Sequence, residues 1–346
     1  MKNKIIITGA AGLIGSEAVK FYAKKGWNVY GIDNNMRKTF FGEKGSVEKN
    51  IKNLIAKFKN FKHFNVNIVN QSRIEELFEQ IKPNAIIHCA AQPSHDKAAS
   101  IPILDFEVNA RGTINLLEAT RKHCNSASFV HVSTNKVYGD APNNLNLIEK
   151  EKRYDFADEL YSFGIDEKFT IDQSKHSLFG ASKLSADIIA QEYGRYFNMN
   201  VGVFRGGCLT GPQHAGVELH GFLSYIVKCA LSNSHYTIFG YKGKQVRDQI
   251  HCADVVSAFD CFIQEPRQGE VYNIGGGKEN SASILEVIDM IEDITGKTLS
   301  YTYSDTHREG DHICYYSDMR KFKNHYPAWK KMYNLERIIK EMVSYE

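Results

Sequence analysis

The 346-residue chain has no apolar run approaching the ~20 residues that a membrane-spanning helix needs, so a helical membrane protein is not expected. Its opening residues, MKNKIIITG, pass straight into a strand-like run without the apolar stretch and cleavage site of a secretory signal, and a cytoplasmic protein is expected. Seven cysteines (89, 124, 208, 229, 252, 261 and 314) form an odd set with no C-x-x-C pair. Several lie in apolar runs such as AIIHCAAQ, so buried free thiols are expected and a metal site is not. A dominant charge is missing too. The 43 Lys and Arg are scattered among 40 Asp and Glu, a formal net charge of +3, too mild to imply a nucleic-acid partner. There is also no internal repeat and no low-complexity linker.

What is present is a rhythm. KIIIT (4–8), NVYGID (28–33), NAIIHCAA (84–91) and SFVHVST (128–134) read as strands. Between them, LIGSEAVKFYAKKG (13–26), RIEELFEQIK and GTINLLEATRKH carry helical patterning. Strands alternating with helices imply an α/β fold with a doubly wound parallel sheet. After about residue 204 the texture becomes Gly-rich and irregular, until NSASILEVIDMIEDITG offers a helix with a Ser283/Glu286 capping box and a stop at Gly296. Residues 1–204 are therefore expected to form the sheet domain, and residues 205–346 a smaller lobe interleaved with it.

TGAAGLIG (8–15) sets Gly9, Gly12 and Gly15 between a strand and a helix. The first glycine permits a tight turn, the second lets backbone approach a pyrophosphate, and the third allows close helix–strand packing. Asp33, at the end of the next strand, can accept from both ribose hydroxyls and would repel a 2′-phosphate, which favours NAD over NADP; Arg37 lies near enough to weaken that preference.

The spacing G-x-x-G-x-x-G resembles that of the extended short-chain dehydrogenase/reductases, the nucleotide-sugar epimerases and dehydratases. HCAAQ (88–92), EVNARGTINLLEA (107–119), STNKVYGD (133–140), GKQVRDQIHCADV (243–255) and VYNIGGG (271–277) match that family's motifs in order. Within it, STNKVYGD, KRYDFAD, HSLFGASKLSAD and GKQVRD are most similar to the CDP-paratose (CDP-tyvelose) 2-epimerase group. The resemblance implies bound NAD as a recycled oxidant acting at C2 of a CDP-hexose, and a homodimer. It places Gly9, Gly12, Leu13, Ile14 and Gly15 on the pyrophosphate, Asp33 and Asn34 on the adenosine ribose, and Asn67 and Ile68 at adenine. Ala90, Ala91, Gln92 and Asn109 would line the cofactor cleft, and Lys183 would hold the nicotinamide ribose. Thr134 would bond the hydroxyl being oxidised, beside Asn135. Arg247 and Arg308 would fork onto the substrate's diphosphate. Each has a plainer reading: Thr134 as a strand-end hydroxyl, Lys183 as a surface lysine, Arg247 as half of an ion pair with Asp248, Cys208 as packing.

One absence bears on function directly. The family's Y-x-x-x-K pattern puts a phenol and an amine on one helix face. Here the phenol position is Phe179, so the ring stays and the proton acceptor is gone. General-base catalysis contributes typically ~10²–10⁴-fold. Three readings stay open: another group (His176, Tyr138 or a Thr134 relay) acts as base; the phenylalanine is an introduced substitution that traps substrate; or the chain binds NAD and a sugar nucleotide without turnover. Sugar-nucleotide 4-epimerases and dehydratases are the enzymatic alternatives. Asn135 and Lys136 occupy the place where dehydratases carry an Asp-Glu pair, which disfavours dehydration.

Overall fold

The computed structural model describes residues 2–212, 221–306 and 311–345. Seven strands form the central sheet: β1 (Lys4–Thr8), β2 (Asn28–Ile32), β3 (Phe61–Phe64), β4 (Ala85–His88), β5 (Ser128–Thr134), β6 (Val201–Gly206) and β7 (Glu270–Ile274). Their order is β7-β6-β5-β4-β1-β2-β3, and the sheet is parallel. Ile5, Ile6 and Ile7 are fully buried, as expected where helices cover both faces and every side chain of a strand must be apolar. The strand order reverses between β1 and β4, and ligands of open α/β sheets bind beyond the strand ends at such a point. The glycine turn follows β1 there, and HCAAQ follows β4.

Four helices matter for the site: α1 (Leu13–Lys24), α2 (Gln71–Ile81), α3 (Gly112–His123) and α4 (Ser177–Tyr196). A core of Ile6, Ile86, Phe78, Leu116, Leu117, Phe129, Ala190 and Val203 joins α2, α3 and α4 to the sheet. The expected strand and helix ends shift for physical reasons. α1 stops at Lys24 because Gly26 takes the left-handed φ of +84°, and β2 stops at Ile32 because the Asp33 carboxylate is turned onto backbone N–H groups. A π-helical turn, Glu107–Arg111, precedes α3 and carries Asn109.

The chain divides into two compact units, 1–137 with 178–205 and 255–272, and 138–177 with 206–254 and 273–346. The sequence boundary near 204 falls at one of these crossings, but 138–177 belongs with the second unit and 255–272 with the first. In the second unit, the strand Val246–His251 pairs antiparallel with Ser281–Ser283, and parallel with Cys314–Tyr315 and Cys208–Thr210. Its helices Phe222–Ser232, Ile284–Thr295 and Leu335–Tyr345 share a core built on Ile226, Val287, Ile291 and Ile338. The helix Ile284–Thr295 starts with the Ser283/Glu286 capping box and stops at Gly296, φ +66°. All seven cysteines are free thiols. Among the described residues no helix is long and apolar enough to cross a membrane.

Candidate active site

The glycine turn is tight for stated reasons. A Cβ on Gly9, whose φ is +63°, would lie 2.8 Å from Ala90 N, and one on Gly15 would overlap the Gly9 carbonyl. Gly12 has room; a Cβ there would stand 3.4 Å from Gly9 O. It caps α1 without a side-chain hydrogen bond, and the first turn holds no acid. Leu13, Ile14 and Gly15 therefore open a helix whose first turn carries no acidic side chain of its own, so its first N–H groups and positive dipole end suit a pyrophosphate. Asp33 accepts from Ala11 N and Asn35 N, each at 2.9 Å, which fixes its carboxylate beside the turn. Asn34 accepts from Met36 N at 3.3 Å. Asn67 spends its side-chain oxygen on Val69 N at 3.1 Å, and Ile68 is buried against Gly112, where a Cβ would come within 2.5 Å of it. Asn115, which the sequence reading missed, clamps this segment through the carbonyls of Ile68 and Val69 at 3.0 and 3.1 Å.

Beyond β4, Ala90 and Ala91 are half-buried and Ala90 N donates to Thr8 Oγ1. Gln92 and Asn109 meet in a buried network: Asn109 Oδ1 accepts from Gln92 N at 2.8 Å, and Asn109 Nδ2 reaches Ser182 Oγ at 3.0 Å. The centre of that network is Asp105, 1% exposed, which accepts from Gln92 Nε2, Asn109 Nδ2 and the Ser182 hydroxyl. Burial pushes its carboxyl pKa up, opposed by the Ser182 and Gln92 donors and the nearby Lys183 charge. Asp105 was not singled out from the sequence; its position four residues before Asn109, on one helical face, was the available signal.

A second anchor stands at the other side of α4. Asp187 accepts from Ser133 Oγ at 2.6 Å and Gln191 Nε2 at 2.6 Å, and pairs with Arg205 through Nε at 3.0 Å and Nη2 at 2.9 Å. The two-pronged Arg–carboxylate geometry ties α4 to the end of β5 and to β6. Thr134, the next residue after Ser133, is half-buried; it accepts from Lys136 N at 3.2 Å and donates to Asn135 Oδ1 at 3.4 Å. Phe179 and Lys183 share one face of α4 and are both buried. Lys183 is therefore not a surface lysine: its Nζ donates to Val132 O at 2.8 Å, and burial pushes it down to about 8.

In the second unit Arg247 is buried, with Nη1 donating to Val246 O at 2.8 Å and Nη2 pairing with Asp311 at 2.9 Å. Its expected partner Asp248 instead accepts from the backbone of Ser317 and Gly277. Burial works against the Arg247 charge, yet Asp311 holds its pKa above the usual value. Arg308 lies outside the described residues.

The model of the NAD dependent epimerase/dehydratase family matches residues 5–275, from β1 to the end of β7. The chain belongs to that family. It is 31% identical over 328 residues to the CDP-paratose 2-epimerase of Salmonella typhi, with 93% of each chain covered. It is 28% identical to the dTDP-glucose 4,6-dehydratase of Salmonella typhimurium, covering 99% of this chain and 92% of that one. Among solved structures it is similar to the UDP-glucuronic acid 4-epimerase of Bacillus cereus, a tyrosine-to-phenylalanine mutant in complex with UDP-4-deoxy-4-fluoro-glucuronic acid and NAD. That likeness has a TM-score of 0.79 at 26% identity, covering 99% and 98% of the two chains. Membership of this NAD-dependent family accounts for the uncapped helix end and the fixed Asp33 beside it.

Proposed function

We propose that the chain is an epimerase that inverts C2 of a CDP-linked hexose. The observation that carries this reading is the buried arrangement at the end of β5 and on α4, where Asp187 holds Ser133, the neighbour of Thr134, and Asp105 holds Ser182, the neighbour of Lys183, in a chain similar over 93% of its length to a CDP-paratose 2-epimerase. NAD, when bound, supplies a hydride acceptor that is restored within each turnover. The protein's own part is to hold and orient. Gly12, Leu13, Ile14 and Gly15 offer N–H groups to the pyrophosphate, Asp33 and Asn34 receive the adenosine ribose, and Lys183 reaches the nicotinamide ribose. Ala90, Ala91, Gln92 and Asn109 line the cofactor cleft. Thr134 hydrogen-bonds the alcohol and Asn135 stands beside it. Arg247 and Arg308 take the diphosphate, and Arg247 must then exchange its Asp311 partner for phosphate oxygens. The side chain at 135 is an amide, so this site has no carboxyl there to drive elimination, which supports epimerisation over dehydration.

The test is proton NMR of CDP-hexoses incubated with the purified wild type and with Phe179→Tyr. A new C2 epimer, with a deuterium label at C2 retained, is the expected result. Reaction of UDP-glucose at C4 in preference to CDP sugars would move the assignment to a 4-epimerase. Unchanged spectra with both chains on every sugar nucleotide would sink the enzyme reading.

A further inference from the structure

Phe179 offers no atom that can hold a proton, so the base has to be found elsewhere. The Tyr138 phenol is fully buried and donates to Asn273 Oδ1 at 2.7 Å, which uses the proton it would have to lose first. His176 Nδ1 faces the Ser174 carbonyl at 2.9 Å, so that nitrogen carries the hydrogen and the lone pair is on Nε2; the residue precedes α4 and lies off the helix face that carries Phe179 and Lys183. The Thr134 hydroxyl, between Lys136 N and Asn135 Oδ1, can pass a proton on but has no reason to keep one.

Lys183 is different. It is 5% exposed, and among the described residues its Nζ makes one hydrogen bond, to Val132 O at 2.8 Å, and no ion pair within 4 Å. An ammonium has three donors. Two of them find no acceptor among the described residues until the nicotinamide ribose is bound, a costly state for a buried charge. A neutral amine needs fewer partners and exposes a lone pair instead. The groups whose charge it feels are few. His88 in β4 and His131 in β5 are fully buried and held neutral, His88 down at about 3 and His131 well below its usual value. Cys89, pushed up to about 12 by burial, is an uncharged thiol. Asp105 and Asp187 are the carboxylates, near enough to stabilise an ammonium without touching it. The site thus tolerates a neutral amine and has two negative groups ready for the charge that forms when it takes a proton.

We propose that Lys183 is the proton acceptor for the substrate hydroxyl, in the role that a phenol at position 179 would otherwise fill. The inference rests on the epimerase reading above. In the oxidising direction the alcohol O–H bond breaks and its electron pair becomes the second carbon–oxygen bond. The carbon's hydride leaves to the oxidised nicotinamide dinucleotide. The proton goes to the Nζ lone pair. Hydride return to the other face reverses each transfer. Burial moves Lys183 to about 8, close to a working pH, where a base is most effective. The amine acts only when neutral, so turnover rises with pH through its titration and levels off above it.

The experiment uses the wild type, Phe179→Tyr and Lys183→Arg. The Lys183 amine is titrated in the ligand-free wild type by NMR of ¹³Cε-labelled lysine, assigned by its loss in Lys183→Arg, and kcat/KM on CDP-hexoses is measured against pH. The expected midpoint is about 8, with the acid limb of wild-type kcat/KM following it, since that ratio reports the free enzyme. Lys183→Arg cannot shed its proton and is expected to lose at least ~100-fold in turnover while keeping its circular dichroism. Phe179→Tyr is expected to be faster, with its limb moved off the lysine midpoint. An amine still charged near its ordinary pKa of ~10.4, a limb that ignores the amine, or Lys183→Arg turning over like wild type would each overturn the proposal. Turnover by Phe179→Tyr beside a silent wild type would overturn it and leave the epimerase reading standing. Silence of both would overturn that reading and this one together.

Discussion

Replacing Asp187 with asparagine tests the anchor that holds α4 against β5 and β6. Asp187 is fully buried and the Arg205 side chain is 4% exposed. Removing one partner of a buried ion pair leaves the other charge uncompensated, a cost of about 3–5 kcal/mol. The Ser133 hydroxyl can still donate to the asparagine oxygen, so the lost charge pairing dominates the lost hydrogen bonds. At about 1.4 kcal/mol per tenfold, the folded-to-unfolded ratio should fall by roughly two to three and a half orders of magnitude. The assay is equilibrium urea unfolding at neutral pH, read by tryptophan fluorescence and far-UV circular dichroism together so that separate transitions of the two units would be seen. Replacing both partners with apolar residues, Asp187→Leu with Arg205→Met, should recover much of the loss, because no unpaired charge is then left inside. If Asp187→Asn lies within about 1 kcal/mol of wild type, Arg205 has another counter-charge or reaches water, and the anchoring argument is wrong.

Three further outcomes are expected. Gly15→Ala drives a methyl group into the Gly9 carbonyl and should abolish NAD uptake in calorimetry while lowering the unfolding midpoint; unchanged uptake would show that the third glycine is dispensable. Ser283→Ala removes the capping box of the helix Ile284–Thr295 and should cost about 1 kcal/mol in urea unfolding, with no measurable loss contradicting the cap. Glu167 is pushed up by burial from its ordinary 4.5 to about 7, against the opposing hydrogen bond from Asn273 N. The folded state therefore holds a proton that the unfolded chain releases, so its contribution to stability declines as pH rises through that window. Wild type should lose melting temperature there relative to Glu167→Gln, and parallel curves would refute the shift.

Much of the dinucleotide half was legible in the sequence because its signals are local. Gly9, Gly12, Gly15 and Asp33 lie within one strand–helix–strand passage, and the structure supplies a steric reason for Gly9 and Gly15 and backbone hydrogen bonds for Asp33. Ser283, Glu286 and Gly296 were equally readable, since a capping box and a left-handed stop are defined by spacing alone. Asp105, Asp187, Arg205 and Ser182 were not. Their meaning comes from contacts between residues 18 to 77 positions apart, which no periodicity encodes. Lys183 could be assigned to a helix face, but only the fold tells that it is buried with a single acceptor among the described residues. Arg247 shows the opposite failure: its sequence neighbour Asp248 was the obvious partner, whereas successive residues of a strand point to opposite faces and the pairing went to Asp311. The division of the chain behaves likewise, because 255–272 closes the sheet edge from far along the sequence.

The central claim is that a nicotinamide dinucleotide lies along the turn after β1. Calorimetric titration of the purified, nucleotide-stripped chain with NAD tests it most directly. One NAD bound per chain, with NADP weaker because Asp33 meets its 2′-phosphate, is the predicted result. A chain that neither carries NAD through purification nor takes it up in the calorimeter would contradict the account at its root.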